Sequence, residues 1–132
     1  MLSGLNHITI AVSDLERSLH FYTQTLGMKA HVKWEQGAYL SVGSLWFCLS
    51  CDQLCPKDDY THIAFDIPAA HFAAYVECLR LQGVREWKMN RSEGQSLYIL
   101  DPDGHKLEIH SGDLKSRLES LKFSPYSGLE WL

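Results

Sequence analysis

His7-Ile8-Thr9-Ile10-Ala11-Val12, within a stretch from Leu5 to Val12 that reads as a β-strand, lines up with His62-Ile63-Ala64-Phe65-Asp66-Ile67, within a second such stretch from Tyr60 to Ile67. In the first stretch Ile8, Ile10 and Val12 alternate with His7 and Thr9, the period of a strand with one apolar face. Each aligned segment opens on a histidine, and each is followed by a helical pattern that a glycine ends, Gly27 or Gly83. Behind the N-cap Ser13-Asp14, the residues Leu15, Leu19, Phe21, Tyr22 and Leu26 make one apolar stripe. Behind Pro68, the residues Phe72, Tyr75, Val76 and Leu79 make the other. Three strands follow each helix: 28–35, 38–42 and 45–49 in the first half, then 84–90, 96–100 and 106–110 in the second. The fold class is therefore α+β, two βαβββ repeats related by a pseudo-two-fold, neither of which can bury its sheet face alone. Repeat 1 covers about residues 1–50, a linker 51–59, repeat 2 about 60–112, and a C-terminal helix and tail 113–132.

A chain of 132 residues suffices for one well-buried domain and is short for two. With 45% hydrophobic and 21% charged residues it reads as soluble and globular. A net charge of −4 gives no reason to expect nucleic acid or an anionic membrane as partner. No apolar run approaches the roughly 20 residues of a membrane span, and no secretory leader pattern opens the chain, so a cytoplasmic location is expected. Cys48, Cys51 and Cys55 lack a fourth ligand and a second paired motif for zinc; with Cys78, they read as free thiols in a reducing compartment.

A lone histidine on a strand is usually structural. Two at equivalent points of a repeat are brought near each other by the pseudo-symmetry, and Glu108 on the last strand adds a carboxylate. Two imidazoles and one carboxylate, with positions left open, suit a catalytic divalent first-row metal. The corresponding strand of the first half reads Trp46-Phe47-Cys48-Leu49 and supplies no fourth ligand. Ahead of Glu108 runs Lys88-Met89-Asn90-Arg91-Ser92-Glu93-Gly94-Gln95-Ser96-Leu97-Tyr98, where cations alternate with hydroxyl and amide residues around Gly94. Such a loop offers ammonium, hydroxyl and backbone N–H groups to one compact anion.

Paired βαβββ units around one metal site resemble the vicinal oxygen chelate superfamily, which includes glyoxalases, bleomycin-resistance proteins and dioxygenases. Gly4-Leu5-Asn6-His7, Gly37-Ala38-Tyr39-Leu40, Gly43-Ser44-Leu45-Trp46, Tyr60-Thr61-His62, Arg85-Glu86-Trp87-Lys88, Asn90-Arg91-Ser92-Glu93-Gly94 and Asp101-Pro102-Asp103-Gly104-His105 resemble the FosA-type fosfomycin-resistance glutathione transferases. Asp-Pro-Asp-Gly is widespread in the superfamily, whereas the stretch from Trp87 to Ser96 is far more specific.

The resemblance implies opening of the epoxide of fosfomycin, a small phosphonate, by the thiol of the co-substrate glutathione. It implies manganese (Mn²⁺) on His7, His62 and Glu108 in the sheet cavity, acting as a Lewis acid on the epoxide oxygen. Thr9 would hydrogen-bond that oxygen, and Tyr39 would contact the thiol. Lys88, Ser92, Ser96, Tyr98 and Arg117 would take the phosphonate, with Trp46 packed on the small substrate. Asn90, Ser92, Gly94 and Ser96 would hold potassium (K⁺), while Trp34 and Gln36 line the glutathione channel and Tyr60 and Tyr126 border its entrance. Arg91 and Glu93 are expected to pair with each other or with a partner subunit. Family members are homodimers of a domain-swapped type, with repeats paired across chains. Other readings keep the fold: hydrolysis with Glu35 or Glu93 as base, another thiol, or a binding module without turnover.

Overall fold

The computed structural model describes residues 1–132. Its strands and helices run β1 (His7–Val12), α1 (Leu15–His20), a π-helical turn (Phe21–Thr25), β2 (Lys29–Trp34), β3 (Gly37–Val42) and β4 (Leu45–Cys51). The second series is β5 (Ile63–Asp66), α2 (Ala69–Leu81), β6 (Glu86–Lys88), β7 (Gln95–Leu100), β8 (Lys106–Ser111) and α3 (Leu114–Leu121). The two sheets have the orders β1-β4-β3-β2 and β5-β8-β7-β6, one topology used twice. In each, the first strand lies parallel to the last, as the crossover through a helix requires.

Met1–Thr61 with Leu100–His105 form one compact unit, and His62–Ile99 with Lys106–Leu132 form the other. In the first unit the apolar alternation does what the pattern dictates: Ile10, Val12, Ala38, Leu40, Phe47 and Leu49 are buried. Tyr22 and Phe47 meet there with ring centroids 5.0 Å apart. The turn between β7 and β8 is part of this unit and is tied in by carboxylates. Buried Asp101 accepts from Tyr22 Oη at 2.7 Å and from the N–H groups of Asp103 and His105 at 2.9 Å each. Asp103 accepts from Arg17 at 2.7 Å and from the Ser13 hydroxyl at 2.5 Å. The Asp-Pro-Asp-Gly stretch thus serves here to anchor a turn onto the N-terminus of α1.

In the second unit Phe65, Leu97, Ile99, Leu107 and Ile109 are buried with Val76 and Leu79 of α2. Arg80 reaches from α2 to Glu86 of β6 at 2.9 Å. Asp113 caps α3, and the Ser116 N–H it accepts holds its carboxyl below the usual carboxylate range.

Local differences from the sequence reading have local causes. The expected continuous helix 15–26 stops being α-helical at His20 and widens, Leu26 N–H reaching Phe21 C=O at 2.9 Å. Thr23 Oγ1 donates to Leu19 C=O at 2.6 Å and occupies an acceptor of the helical ladder. β4 continues to Cys51, two residues past the expected end, because Cys51 N–H finds the Gln36 carbonyl at 2.8 Å. Cys48 is buried, but Cys78 is exposed, off the α2 face formed by Val76 and Leu79; all four cysteines are free. No helix is long and apolar enough to cross a membrane.

Candidate active site

In the second unit, β8 carries Glu108 on the sheet face opposite buried Leu107 and Ile109, next to Ala64 of β5. His62 precedes β5 and brings Nε2 to 3.0 Å from Glu108 Oε1. The imidazole stands edge-on to Trp87 and Tyr98, at centroid distances of 5.7 and 6.2 Å. Trp87 is itself fixed by Nε1–H donating to the Leu107 carbonyl at 3.0 Å. Glu108 Oε2 accepts from Ser96 Oγ at 2.7 Å, and Ser96 Oγ lies 2.6 Å from His110 Nδ1. The sequence therefore does bring His62 and Glu108 together. It brings His110 with them, a residue not singled out in the sequence, although its place two residues after Glu108 on one strand puts both on the same face.

The basic loop folds around that cluster. Lys88 Nζ sits 4.7 Å from the centre of the Tyr98 ring, a cation–π contact that directs the ammonium along the sheet face. Asn90 closes the loop on itself, donating to the Gly94 carbonyl at 3.0 Å and accepting from the Ser92 N–H at 3.1 Å and hydroxyl at 3.0 Å. Lys88, Asn90 and Ser96 line a cleft of about 520 Å³ with Arg80, Glu86, Met89 and Leu97, and neither His62 nor Glu108 borders it. Arg117 of α3 approaches from the other side. Its Nε donates to Glu93 Oε2 at 3.0 Å, one terminal nitrogen is 3.5 Å from Ser92 Oγ, and the other is 3.4 Å from Tyr126 Oη. Glu93 therefore pairs with Arg117, where a pairing with Arg91 was one of the expectations. That carboxylate raises the guanidinium pKa further above its ordinary value.

In the first unit a row of aromatic rings crosses the sheet. His7 and Trp46 are 4.4 Å apart, Trp46 and Tyr39 5.1 Å, and Tyr39 and Trp34 4.8 Å. Thr9 pairs with Cys48 and Cys48 with Tyr39, so these three lie side by side on adjacent strands. Asn6 Oδ1 is 2.8 Å from His7 Nδ1. An amide oxygen only accepts, so the proton sits on Nδ1 and the Nε2 lone pair is left outward. Trp34 folds over Gly37, where a Cβ would come within 2.7 Å of both the indole and the Leu49 carbonyl. Gln36 lies exposed in the same turn. Tyr60 and Tyr126, both exposed, belong to different units.

No three His, Cys, Asp or Glu side chains of the chain form a metal-binding group. The pair His62–Glu108 nevertheless fits a divalent cation: an imidazole nitrogen and a carboxylate oxygen converge, nearly buried, and the second oxygen is already hydrogen-bonded. His7 lies in the first unit.

Three comparisons bear on this arrangement. The model of the Glyoxalase/Bleomycin resistance protein/Dioxygenase superfamily matches residues 4–109. Glutathione transferase FosA of Serratia marcescens is 48% identical over 134 residues, 98% of this chain and 95% of the relative. Metallothiol transferase FosB of Staphylococcus epidermidis is 36% identical, over 92% of this chain and 90% of the relative. Among solved structures, a mutant of the fosfomycin resistance protein FosX of Listeria monocytogenes, complexed with Mn(II) and a dihydroxypropylphosphonic acid, aligns at a TM-score of 0.82. It is 31% identical and covers 91% of this chain and 98% of that one.

Proposed function

The chain belongs to the glyoxalase/bleomycin resistance protein/dioxygenase superfamily, and from that premise we propose that it adds the thiol of glutathione to the epoxide of fosfomycin, inactivating the antibiotic. The observation that carries this reading is the 48% identity to a glutathione transferase over nearly the whole chain. FosB, a thiol transferase by name, points the same way. In the reaction a sulfur–carbon bond forms, an epoxide carbon–oxygen bond breaks, and the oxygen takes up a proton.

His7, His62 and Glu108 would hold the divalent cation, Mn²⁺ in our assignment. When bound, such an ion supplies Lewis-acid polarisation of the epoxide oxygen. The chain's own residues do the remaining work. Lys88 and Arg117 bring positive charge to the phosphonate, with Ser92 and Tyr98 as hydrogen-bond donors and Ser96 lining the same place. Thr9 offers a hydroxyl to the epoxide oxygen, Trp46 packs on the substrate, and Tyr39 orients the thiol. Trp34, Gln36, Tyr60 and Tyr126 are assigned to the glutathione path. The loop of Asn90, Ser92, Gly94 and Ser96 is the K⁺ site in this reading, its carbonyl and hydroxyl oxygens being suitable ligands. A homodimer in the cytoplasm, where glutathione keeps thiols reduced, completes the proposal.

Hydrolysis needs a carboxylate free to activate water. Glu93 is engaged by Arg117 and Glu35 is exposed in a turn, which supports thiol addition over hydrolysis. The test is turnover of fosfomycin with glutathione after chelation and re-addition of Mn²⁺, with and without K⁺, products being identified by mass. We expect a metal-dependent thiol adduct; a diol formed without glutathione would instead establish a hydrolase. Lys88→Ala should raise KM for fosfomycin by about 10²-fold, with a smaller effect on KM for glutathione, since one charged contact of about 2–3 kcal/mol is lost. Steady-state kinetics in both substrates checks this.

A further inference from the structure

Glu108 is held from two sides. Oε1 faces His62 Nε2 at 3.0 Å, while Oε2 accepts from Ser96 Oγ at 2.7 Å. Ser96 Oγ lies 2.6 Å from His110 Nδ1, and that nitrogen is 3.4 Å from Glu108 Oε2. A serine hydroxyl has one proton, and a carboxylate has none to give. The Ser96 proton therefore goes to Glu108, and the short contact with His110 requires a proton on Nδ1. The chain is directional, from His110 Nδ1–H to Ser96 Oγ–H to Glu108 Oε2.

The His110 ring is also confined. Its side chain is 16% exposed. A Cβ on Gly94 would meet His110 Cε1 at 2.9 Å, and one on Gly112 would meet Nε2 at 2.9 Å. Both glycines have positive φ, 81° and 144°, so each position tolerates little else on two counts. The strand end beneath the ring is fixed by Ile67 N–H donating to the His110 carbonyl at 3.0 Å.

We propose that His110 is a positioning residue: acting through Ser96, it locks the Glu108 carboxylate with Oε1 turned to His62, so that this pair is preset for a divalent cation. The proposal rests on the metal-site assignment above and adds to it a group that touches neither metal nor substrate. Hydrogen-bonded partners behind a ligand commonly change metal affinity by about 10- to 100-fold when removed.

Two measurements test it, both without fosfomycin or glutathione. Long-range ¹⁵N NMR of histidine-labelled, metal-free protein should show neutral His110 protonated on Nδ1; a proton on Nε2 would overturn the proposal. Mn²⁺ titration followed by EPR should show His110→Ala weakened by roughly 10- to 100-fold. His110→Asn, whose amide places an N–H near the Nδ1 position, should bind within about threefold of the parent. In the Ser96→Ala background, His110→Ala should add nothing further. Unchanged affinity in His110→Ala, equal losses in the Ala and Asn variants, or full additivity with Ser96→Ala would each refute the role. Should His110→Ala not fold, the tautomer and the Asn variant decide alone. Failure of the transferase reading looks different: the parent protein would form no adduct, whatever its affinity for Mn²⁺.

Discussion

His62→Ala is expected to lower kcat/KM for thiol addition by about 10³-fold or more while leaving the protein folded. The imidazole is one of two donors that the second unit brings together, 3.0 Å from the Glu108 carboxylate. Removing it leaves the carboxylate facing a void between Trp87 and Tyr98, whose rings pack against each other at 5.2 Å and keep their places. Lewis-acid assistance contributes several kcal/mol to a reaction of this type, and each 1.36 kcal/mol is about tenfold in rate. The loss should be partly recovered at high Mn²⁺, because a weakened site still fills by mass action. The assay is adduct formation against Mn²⁺ concentration, with circular dichroism as the check on folding. Activity within tenfold of the parent, at limiting Mn²⁺, would remove His62 from the ligand set.

The largest stability effect should come from Asp101→Ala, far from that cluster in role. Asp101 is fully buried and accepts from three donors, Tyr22 Oη and the N–H groups of Asp103 and His105. Alanine leaves all three donors without that acceptor, the Tyr22 hydroxyl buried and the two N–H groups part-buried, at about 1–3 kcal/mol each before relaxation, so a total loss of about 3–5 kcal/mol is expected. For a chain of this size that lowers Tm by roughly 10 °C or more. Tyr22→Phe removes one donor and leaves the other two satisfied, and should cost only about 1 kcal/mol. Burial, with Asp101 close by, pushes the Tyr22 hydroxyl pKa well up, so it stays protonated and donating. Urea unfolding of both variants separates the cases; equal midpoints would mean that the turn is not held by its carboxylate.

Much of this architecture was legible in the residues because its signals are local. Alternation in His7–Val12, the glycines after each helix and the recurrence of His-Ile at residue 62 are all short-range patterns, and they specify two copies of one topology. The Asn90–Gly94 loop was legible for the same reason. What the sequence hid was set by contacts distant along the chain. Glu93 meets Arg117 across 24 positions, and nothing near either residue announces the pairing. The π-helical turn depends on where one threonine hydroxyl goes, a choice made by its surroundings and not by propensity. His110 was within reach of a simple period-two argument from Glu108, but only the approach of Ser96 and two glycines gives its ring a task.

The row of rings on the first sheet has an optical consequence. Trp34 and Trp46 are 44% and 39% exposed there, with Tyr39 between them. Indoles in water emit at longer wavelength than indoles shielded from it. Anything that settles on that face, a small molecule or a second copy of the chain, will shift the emission of these two residues to the blue. Single Trp34→Phe and Trp46→Phe proteins would then say which end of the row is being covered. The molecule thus carries its own fluorescent reporter, with no dye attached.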